Sequence, residues 1–143
     1  CSMRVFVIDT NVLVAGLITR DRQSPTARVL DAMLNGRLPS LLSPALLAEY
    51  QTVLARPKLA SLHRLDQSRI DVLLTAVTVS ALWREPLRTG DAPDPGDNHL
   101  WALLDEESRA ALVTGDQRLL DQPRNHAPVI TPTGIAHDAC TAA

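Results

Sequence analysis

Short apolar runs alternate along the chain with longer segments in which apolar residues recur at helical spacing. The clearest run, Val5–Ile8, predicts a buried strand, and it ends abruptly in the sequence "DTN". Three further runs predict strands over residues 38–42, 110–115 and 127–132. Strands of a parallel sheet are apolar throughout because both faces are covered, and residues 5–8 and 111–113 have this character.

Two helix starts carry the same signal, a serine followed by proline, at Ser24 and Ser43. Serine caps the first helical turn, and proline is tolerated there because its missing N–H has no helical partner in that turn. The predicted helices span residues 25–34, 44–55, 67–82 (with Asp66 at its start) and 98–108. Residues 9–23 and 85–97 are predicted to be loops, 116–120 a short helical turn and 133–143 a weak terminal helix.

This order of elements indicates βαβ units around a parallel sheet, because helical segments of ten or more residues separate the strands. In such sheets, ligands bind just beyond the carboxyl ends of the strands. Functional side chains are therefore expected in the residues that follow each strand.

Two of the apolar strands run directly into a carboxylate. Asp9 follows Val5–Ile8, at an edge where burial is expected to be incomplete, and Asp116 follows residues 111–113 in "LVTGD". Adjacent strands lie about 4.8 Å apart, so both carboxylates would converge on one ion if these two strands are neighbours. Asp9 also has a purely structural interpretation as a helix N-cap, and Asp116 has one as a turn residue.

Two further acids have a suitable setting. Glu49 lies in the helix "PALLAEYQTVL", near the boundary of its apolar face, and Asp97 lies where the loop 85–97 enters the next helix. Asp94, three residues earlier, is a weaker alternative to Asp97. Glu49 can equally be a solvated helix carboxylate, and Asp97 can equally be a simple N-cap.

Two polar residues lie close to these acids in the sequence. Asn11 suits an Asx-turn and, equally, a role in orienting Asp9 or a metal-bound water. Thr114 can form a hydrogen bond within the same turn as Asp116.

Several carboxylates in a small volume repel each other, and without a counter-charge one or more would be protonated at pH 7. Mg²⁺ and Mn²⁺ prefer oxygen ligands and retain waters, which leaves coordination positions for a phosphate. Such an ion polarises a phosphoryl oxygen and lowers the pKa of a bound water, so no side-chain nucleophile is needed. This agrees with a sequence that has no G-x-S-x-G, Walker-A or H-E-x-x-H motif.

The length of 143 residues suits one domain. Residues 1–3, in which Cys1 and Ser2 precede Met3, are interpreted as a cloning remnant and the start, and residues 4–143 as a single domain. Cys140 alone forms neither an intrachain disulfide nor a thiolate metal site, so a reducing cytoplasm is expected. No apolar run approaches the roughly 18 residues needed to cross a membrane.

The net charge of −2 is unevenly distributed. Residues 1–71 hold nine Lys and Arg against six Asp and Glu, giving +3, whereas residues 72–143 hold five against ten, giving −5. A net acidic chain is poorly suited to indiscriminate nucleic-acid binding, so any such binding requires a local patch. The basic residues considered for that patch are Arg20, Arg22, Arg56, Lys58 and Arg118.

The histidines and tryptophans are assigned no chemistry at this point. The four histidines share no metal-ligand spacing, and His99, the one nearest the predicted site, is expected on a helix surface. Trp83 and Trp101 are expected in the core.

Four motifs occur in a fixed order, "VFVIDTNVLVAGL", "LLSPALLAEYQTVLARPKL", "DPGDNHLWALL" and "ALVTGDQRLL". Together they resemble the PIN-domain family over residues 4–135, and within it the toxin components of prokaryotic toxin–antitoxin systems. The resemblance implies a three-layer α/β/α sandwich with a parallel sheet of strand order 3-2-1-4-5. It also implies nuclease activity on RNA that depends on Mg²⁺ or Mn²⁺.

The resemblance assigns the family's acidic residues to Asp9, Glu49, Asp97 and Asp116. Family members often have another acid beside the third position, where this chain has Asn98. Gly96 occupies another position that is often acidic in the family. The third ligand is therefore Asp97 or Asp94.

The expected function is that of a metal-dependent endoribonuclease, the toxin of a type II toxin–antitoxin pair, with an antitoxin protein as partner. A homodimer is also expected, with exposed leucines of the helices 44–55 and 66–80 as its surface. Two alternatives remain: a PIN-like module that binds RNA or protein with little or no turnover, and a nuclease for structured DNA.

Overall fold

A parallel sheet forms the centre of the molecule. The computed structural model describes residues 4–88, 91–92, 94–121 and 127–137, and within these residues five strands form one sheet of order β3-β2-β1-β4-β5. Every pairing is parallel. The strands are β1 (Val5–Ile8), β2 (Ser40–Leu42), β3 (Ala81–Trp83), β4 (Ala110–Val113) and β5 (Val129–Ile130). The predicted α/β class and the strand order 3-2-1-4-5 are confirmed.

Helices cover the sheet and give an α/β/α sandwich. In the described part of the chain they are α1 (Thr10–Ile18), α2 (Pro25–Leu34), α3 (Pro44–Leu54), α4 (Pro57–His63), α5 (Gln67–Ser80), α6 (Asn98–Glu106) and α7 (Gln117–Asp121). Two 3-10 turns, Pro95–Asp97 and Thr133–His137, complete the elements. The predicted serine caps are present, since the side chains of Ser24 and Ser43 accept hydrogen bonds from backbone N–H groups in the first turns of α2 and α3.

The pairing of β1 with β4 sets the position of the site. Both strands are completely buried, and Ile8 lies opposite Val113 in the register. The chain therefore leaves the sheet at Asp9 and Thr114 side by side, and the backbone N–H of Asp9 donates to the carbonyl of Val113 at 2.9 Å. The expectation that these two strands are neighbours is confirmed.

The loop predicted over residues 9–23 is wrong in its first half, because α1 begins at Thr10, immediately after β1. Most of this helix is apolar on every side, and Val12, Leu13, Val14 and Gly16 are all buried. A helix that is buried nearly all round has no amphipathic period, so the spacing test misses it.

The helix predicted over residues 67–82 ends early, at Ser80, and the chain continues as β3. This strand lies at the edge of the sheet, with Leu82 39% and Trp83 41% exposed. Trp83 is therefore not a core residue, whereas Trp101 is buried as expected. The sequence also gave no separate prediction of α4.

Several predictions fall outside the described residues, namely those for Cys1, Ser2, Met3, His126, Cys140 and residues 138–143 of the terminal helix. Within the described part, residues 133–137 form a 3-10 turn rather than the start of an α-helix. No described helix is both long and apolar enough to cross a membrane.

Helices α1 and α2 approach each other closely at Gly16. A Cβ at this position would lie 2.5 Å from the carbonyl oxygen of Thr26 and 3.0 Å from the Cβ of Leu30. Because the first of these atoms belongs to the backbone, relieving the clash requires a shift of α2 itself. Glycine is therefore needed here for the close contact of the two helices.

We expect Gly16→Ala to lower the free energy of unfolding by about 1–2 kcal/mol. Alanine gains up to about 1 kcal/mol in helix propensity, but overpacking costs about 1–3 kcal/mol, and the rigid contact favours the larger value. Urea denaturation measures the change. Gly115→Ala is the control, since its Cβ would meet its nearest atom, Asn11 Oδ1, at 3.7 Å. Equal stability of the two variants would contradict the close-contact explanation.

Candidate active site at the carboxyl edge of the sheet

Asp9 is the most buried carboxylate of the candidate site, with 5% of its surface exposed. The expectation of incomplete burial is wrong, because α1 starts directly at this residue and covers it. Its Oδ1 accepts a hydrogen bond from the N–H of Thr10 at 2.8 Å, and Oδ2 accepts one from Thr114 Oγ1 at 2.7 Å. Asp9 is thus the N-cap of α1 as well as a residue of the sheet edge.

Burial raises the pKa of Asp9, and the nearby charges of Glu49 and Asp116 raise it further. The hydrogen bonds from Thr114 and Thr10 act in the opposite direction because they stabilise the ionised form. The net effect is a raised pKa for Asp9, so the hydrogen bonds from Thr114 and Thr10 offset only part of the cost of burying its charge.

Asn11 and Thr114 join the ends of β1 and β4. The amide nitrogen of Asn11 donates to Asp9 Oδ2 at 3.3 Å and to Thr114 Oγ1 at 3.4 Å, while its Oδ1 accepts from the N–H of Gly115 at 3.1 Å. Thr114 Oγ1 also accepts the N–H of Asp116 at 3.0 Å. Of the two interpretations of Asn11, these contacts favour the orientation of Asp9 over an Asx-turn.

Glu49 reaches the same edge from α3, with 30% of its side chain exposed. Its Oε1 accepts from Thr10 Oγ1 at 2.5 Å, and its Oε2 lies 2.7 Å from His99 Nε2. The hydrogen bond with His99 is the largest of the effects that lower the pKa of Glu49, and it exceeds the opposing effect of burial. Glu49 is therefore held on both oxygens and is not a solvated helix carboxylate.

His99 is not the surface residue that the sequence suggested. Its side chain is 17% exposed and contacts Glu49, 50 positions away in the sequence. The residue lies in the first turn of α6, directly after Asp97 and Asn98. Sequence reasoning missed the pair because no local pattern relates α3 to α6.

Tyr50 was also missed as a positioning residue. It is fully buried, and its hydroxyl donates to the carbonyl of Ile8, the last residue of β1, at 2.5 Å. Burial raises the pKa of this phenol, and the charges of Asp9 and Glu49 add to the effect. The contact ties α3 to the end of β1, which fixes Glu49 beside Asp9.

Asp97 ends a 3-10 turn and precedes α6, but its side chain makes no capping hydrogen bond. Burial raises the pKa of Asp97 to about 6, and the charges of Asp9, Asp94, Glu49 and Asp116 contribute in the same direction. The N-cap interpretation therefore does not account for this carboxyl. The carboxyl of Asp97 instead lies close enough to the other candidate acids for their charges to act on it.

The side chain of Asn98 makes a structural contact. Its Oδ1 accepts the N–H of Ala92 at 2.9 Å, which anchors the end of the long loop to α6. Asp94 has a local contact too, since its Oδ1 accepts the N–H of Gly96 at 2.9 Å.

Asp116 is paired with Arg118 from its own segment. Arg118 Nη2 lies 3.2 Å from Asp116 Oδ2, and the backbone N–H of Arg118 donates to Oδ1 at 2.9 Å. The side-chain hydrogen bond from Arg118 lowers the pKa of Asp116 more than any other effect. Arg118 Nη1 also lies 3.8 Å from Asp94 Oδ2.

The other basic residues differ in their positions. Arg22 donates to the carbonyl of Gly16 at 2.8 Å and pairs with Asp31 at 3.2 Å, so it joins α1 to α2. The charge of Arg56 contributes to the lowered pKa of Glu49, which places Arg56 near the site. Arg20 and Lys58 are exposed.

The donor chemistry of the site fits a hard divalent cation. Asp9, Glu49, Asp97 and Asp116 offer only oxygen ligands, and two of them, Asp9 and Asp97, have pKa values raised by burial and by the other acids. Glu49 and Asp116 instead already have partners in His99 and Arg118. Across the described residues, no three or more His, Cys, Asp or Glu side chains are arranged so that together they could hold a metal ion. Rearrangement of the paired carboxylates would therefore have to accompany binding.

Comparison with known proteins gives one family. The sequence model of the family described as "PIN domain" matches residues 5–118, a span that contains all the acids discussed above. No curated protein matches the chain.

We expect Tyr50→Phe to lower the free energy of unfolding by about 1–2 kcal/mol. The ring volume is unchanged, so the loss comes from leaving the buried carbonyl of Ile8 without its partner. Urea denaturation measures it. Trp83→Phe is the control, because it removes a hydrogen bond to Glu85 at an exposed position. Losses of the same size in both variants would contradict the proposed anchoring of α3.

We expect Asp97→Asn to stabilise the protein at pH 7 but not at pH 4. The pKa of Asp97 in the folded protein, about 6, lies above the ordinary value of 3.8 for this group. The folded state therefore favours the protonated form, and stability present below about pH 4 is lost as the pH rises through 6. Asparagine removes this loss, by about 1 kcal/mol after allowance for solvent screening.

Urea denaturation at pH 4, 5.5 and 7 measures the stability difference between Asp97→Asn and the unmodified chain. Asp71→Asn is the control, because it removes one exposed carboxylate of α5 outside the candidate site. A pH-independent difference for Asp97→Asn would show that the carboxyl is not perturbed as described.

Proposed function

This chain belongs to the PIN domain family, and on that premise we propose that it is a metal-dependent endoribonuclease that hydrolyses RNA phosphodiester bonds. PIN domains are generally nucleases. The observation that carries the proposal is the meeting of Asp9, Glu49, Asp97 and Asp116, from four separate segments, at one edge of the sheet, where their charges affect each other.

In this proposal Asp9, Glu49, Asp97 and Asp116 hold Mg²⁺ or Mn²⁺, with Asp94 as the alternative to Asp97. When bound, such an ion supplies Lewis-acid polarisation of a phosphoryl oxygen and a water of lowered pKa. Hydrolysis would add one water across the P–O3′ bond, which breaks, and would leave a 5′-phosphate and a 3′-hydroxyl.

The protein's own contribution is the orientation of the carboxylates. Thr114 and Asn11 hold Asp9 Oδ2, and the N-terminus of α1 holds Oδ1. The dipole of α1 also favours a negative charge at Asp9. Thr10 and His99 hold Glu49. Asp9 is therefore oriented before a cation binds, whereas Glu49 and Asp116 would have to exchange their present partners, His99 and Arg118, for the ion.

RNA would be bound through local positive charge, since the chain as a whole is acidic. Arg56 and Arg118 support this part of the proposal because their charges act on Glu49 and Asp116 respectively. Arg22 is already engaged within the fold by Gly16 and Asp31.

As partners we propose an antitoxin protein and a second copy of this chain, in the cytoplasm. The leucines expected to form a dimer surface give it little support, because Leu46, Leu54 and Leu74 are core residues. Leu47 and Leu73 are partly buried against that core. Exposed apolar side chains on α5 support it instead, with Val72 69% and Val79 80% exposed.

The alternative function is a PIN-like binding module with little or no turnover. One observation favours it: within the described residues, no three candidate ligands stand ready for a metal ion. Calorimetric titration with Mn²⁺ separates the two functions. The absence of binding at millimolar Mn²⁺ would support the module and contradict the nuclease.

We expect the purified protein to cleave single-stranded RNA with Mn²⁺ and to stop when EDTA is added. Asp9→Asn should reduce the rate at least about a hundredfold, the scale on which loss of one charge-stabilising group acts. Asparagine keeps the size of the side chain and one oxygen, which can still accept the N–H of Thr10 at the start of α1. The fold should therefore persist, which thermal melting checks.

Gel analysis of labelled RNA measures the cleavage rates. Asp31→Asn is the matched control, because Asp31 is an exposed carboxylate that pairs with Arg22 outside the site. It should cleave at the wild-type rate. If Asp9→Asn cleaves as fast as the unmodified chain, the proposed mechanism is wrong.

A further inference from the structure

The guanidinium of Arg118 forms an ion pair with the carboxylate of Asp116. Its Nε lies 3.4 Å from Oδ1 and its Nη2 lies 3.2 Å from Oδ2, so both carboxylate oxygens are engaged. The remaining nitrogen, Nη1, is directed to a second candidate ligand, Asp94, at 3.8 Å. The charge of Asp97 also acts on Arg118. One side chain thus faces three of the acids at the sheet edge.

The ion pair between Arg118 and Asp116 can exchange its guanidinium for another cation. The side chain of Arg118 is 70% exposed, against 23% for Asp116 and 50% for Asp94. Exposed ion pairs contribute only about 0.2–1 kcal/mol, since water solvates both partners well when they separate. A divalent cation, with twice the charge, can therefore displace the guanidinium from Asp116 at little cost.

From this geometry we infer that Arg118 is an internal counter-ion that leaves Asp116 when a divalent cation binds and then holds a phosphate of the RNA. The inference rests on the proposed function, and it gives Arg118 a positioning role that couples the two ligands. The displaced guanidinium stays beside the acids, because it is only two residues from Asp116. Its planar fork matches two phosphate oxygens as well as two carboxylate oxygens.

The coupling has a defined direction. Without the cation, Arg118 is engaged by carboxylates and its charge is neutralised locally. With the cation, the same charge becomes available to RNA. Because coupling between two ligands is reciprocal, RNA must also strengthen cation binding by the same factor.

The chain contains a matched control at the other end of β4. Arg109 pairs with Glu107 at the same two-residue spacing, with Nε 3.1 Å from Oε1 and Nη2 3.4 Å from Oε2. The backbone N–H of Arg109 also donates to Oε1, as that of Arg118 does to Asp116. This pair precedes β4, on the side of the sheet opposite to the candidate site.

The first experiment titrates Mn²⁺ calorimetrically into the full chain and into Arg118→Gln, Arg118→Lys and Arg109→Gln. We expect Arg118→Gln to bind Mn²⁺ more tightly by a factor between about 1.4 and 5, since this range corresponds to 0.2–1 kcal/mol. Arg118→Lys keeps the charge and should remain close to wild type. Arg109→Gln should equal wild type, because its pair lies away from the site.

The second experiment measures binding of a phosphorothioate RNA oligonucleotide, which resists cleavage, with and without Mn²⁺. Wild type and Arg109→Gln should gain RNA affinity when Mn²⁺ is added. Arg118→Gln should gain several-fold less, although it binds Mn²⁺ more tightly. A purely structural role of Arg118 would not move the two affinities in opposite directions.

The outcomes separate the inference from the proposed function. If Arg118→Gln binds Mn²⁺ like wild type, or if Arg118→Lys matches Arg118→Gln, the counter-ion role is wrong while the nuclease proposal stands. If wild type itself binds no Mn²⁺ at millimolar concentration, the proposed function fails and the inference fails with it. Thermal melting of all variants should be unchanged, because Arg118 is exposed.

Discussion

The parallel pairing of β1 with β4 is the constraint on which the candidate site depends. With Ile8 opposite Val113, the two strands end together, and Asp9 and Thr114 become direct neighbours across the sheet. A shift of one residue would move the alternating side chains to the opposite faces and separate the two. Because both strands are completely buried, such a shift would also disrupt the packing of their side chains on both faces of the sheet.

Asp9 shows how the fold accommodates an almost fully buried carboxylate. Burial alone disfavours its charge, but the start of α1, Thr114 and Asn11 together supply hydrogen bonds to both of its oxygens. Charge-assisted hydrogen bonds of this kind are worth about 1.5–3 kcal/mol each and offset much of the desolvation cost. The remaining imbalance, seen in the raised pKa of Asp9 and Asp97, is the part that a cation would remove.

The four candidate ligands fall into two kinds. Glu49 and Asp116 have cationic or hydrogen-bonding partners within the chain, His99 and Arg118, whereas Asp9 and Asp97 have neighbours that raise their pKa values. If the chain binds a divalent cation as proposed, the ion would have to replace His99 and Arg118 as partners of these two carboxylates. Under that proposal, the two basic side chains would control cation binding.

The order of apolar strands and helical segments was enough to predict the α/β class. Asp9 and Asp116 became candidate ligands because an apolar strand leads to each of them, whereas Glu49 and Asp97 were candidates from their places on helices and in the family motifs. Helix α1 and strand β3 were not predicted, the first because it is apolar on nearly every side and the second because it is a short edge strand. The contacts of His99 with Glu49 and of Tyr50 with the end of β1 became visible only in the folded chain. These contacts join residues 42 and 50 positions apart, and their existence depends on how helices lie on the sheet, which no local spacing records.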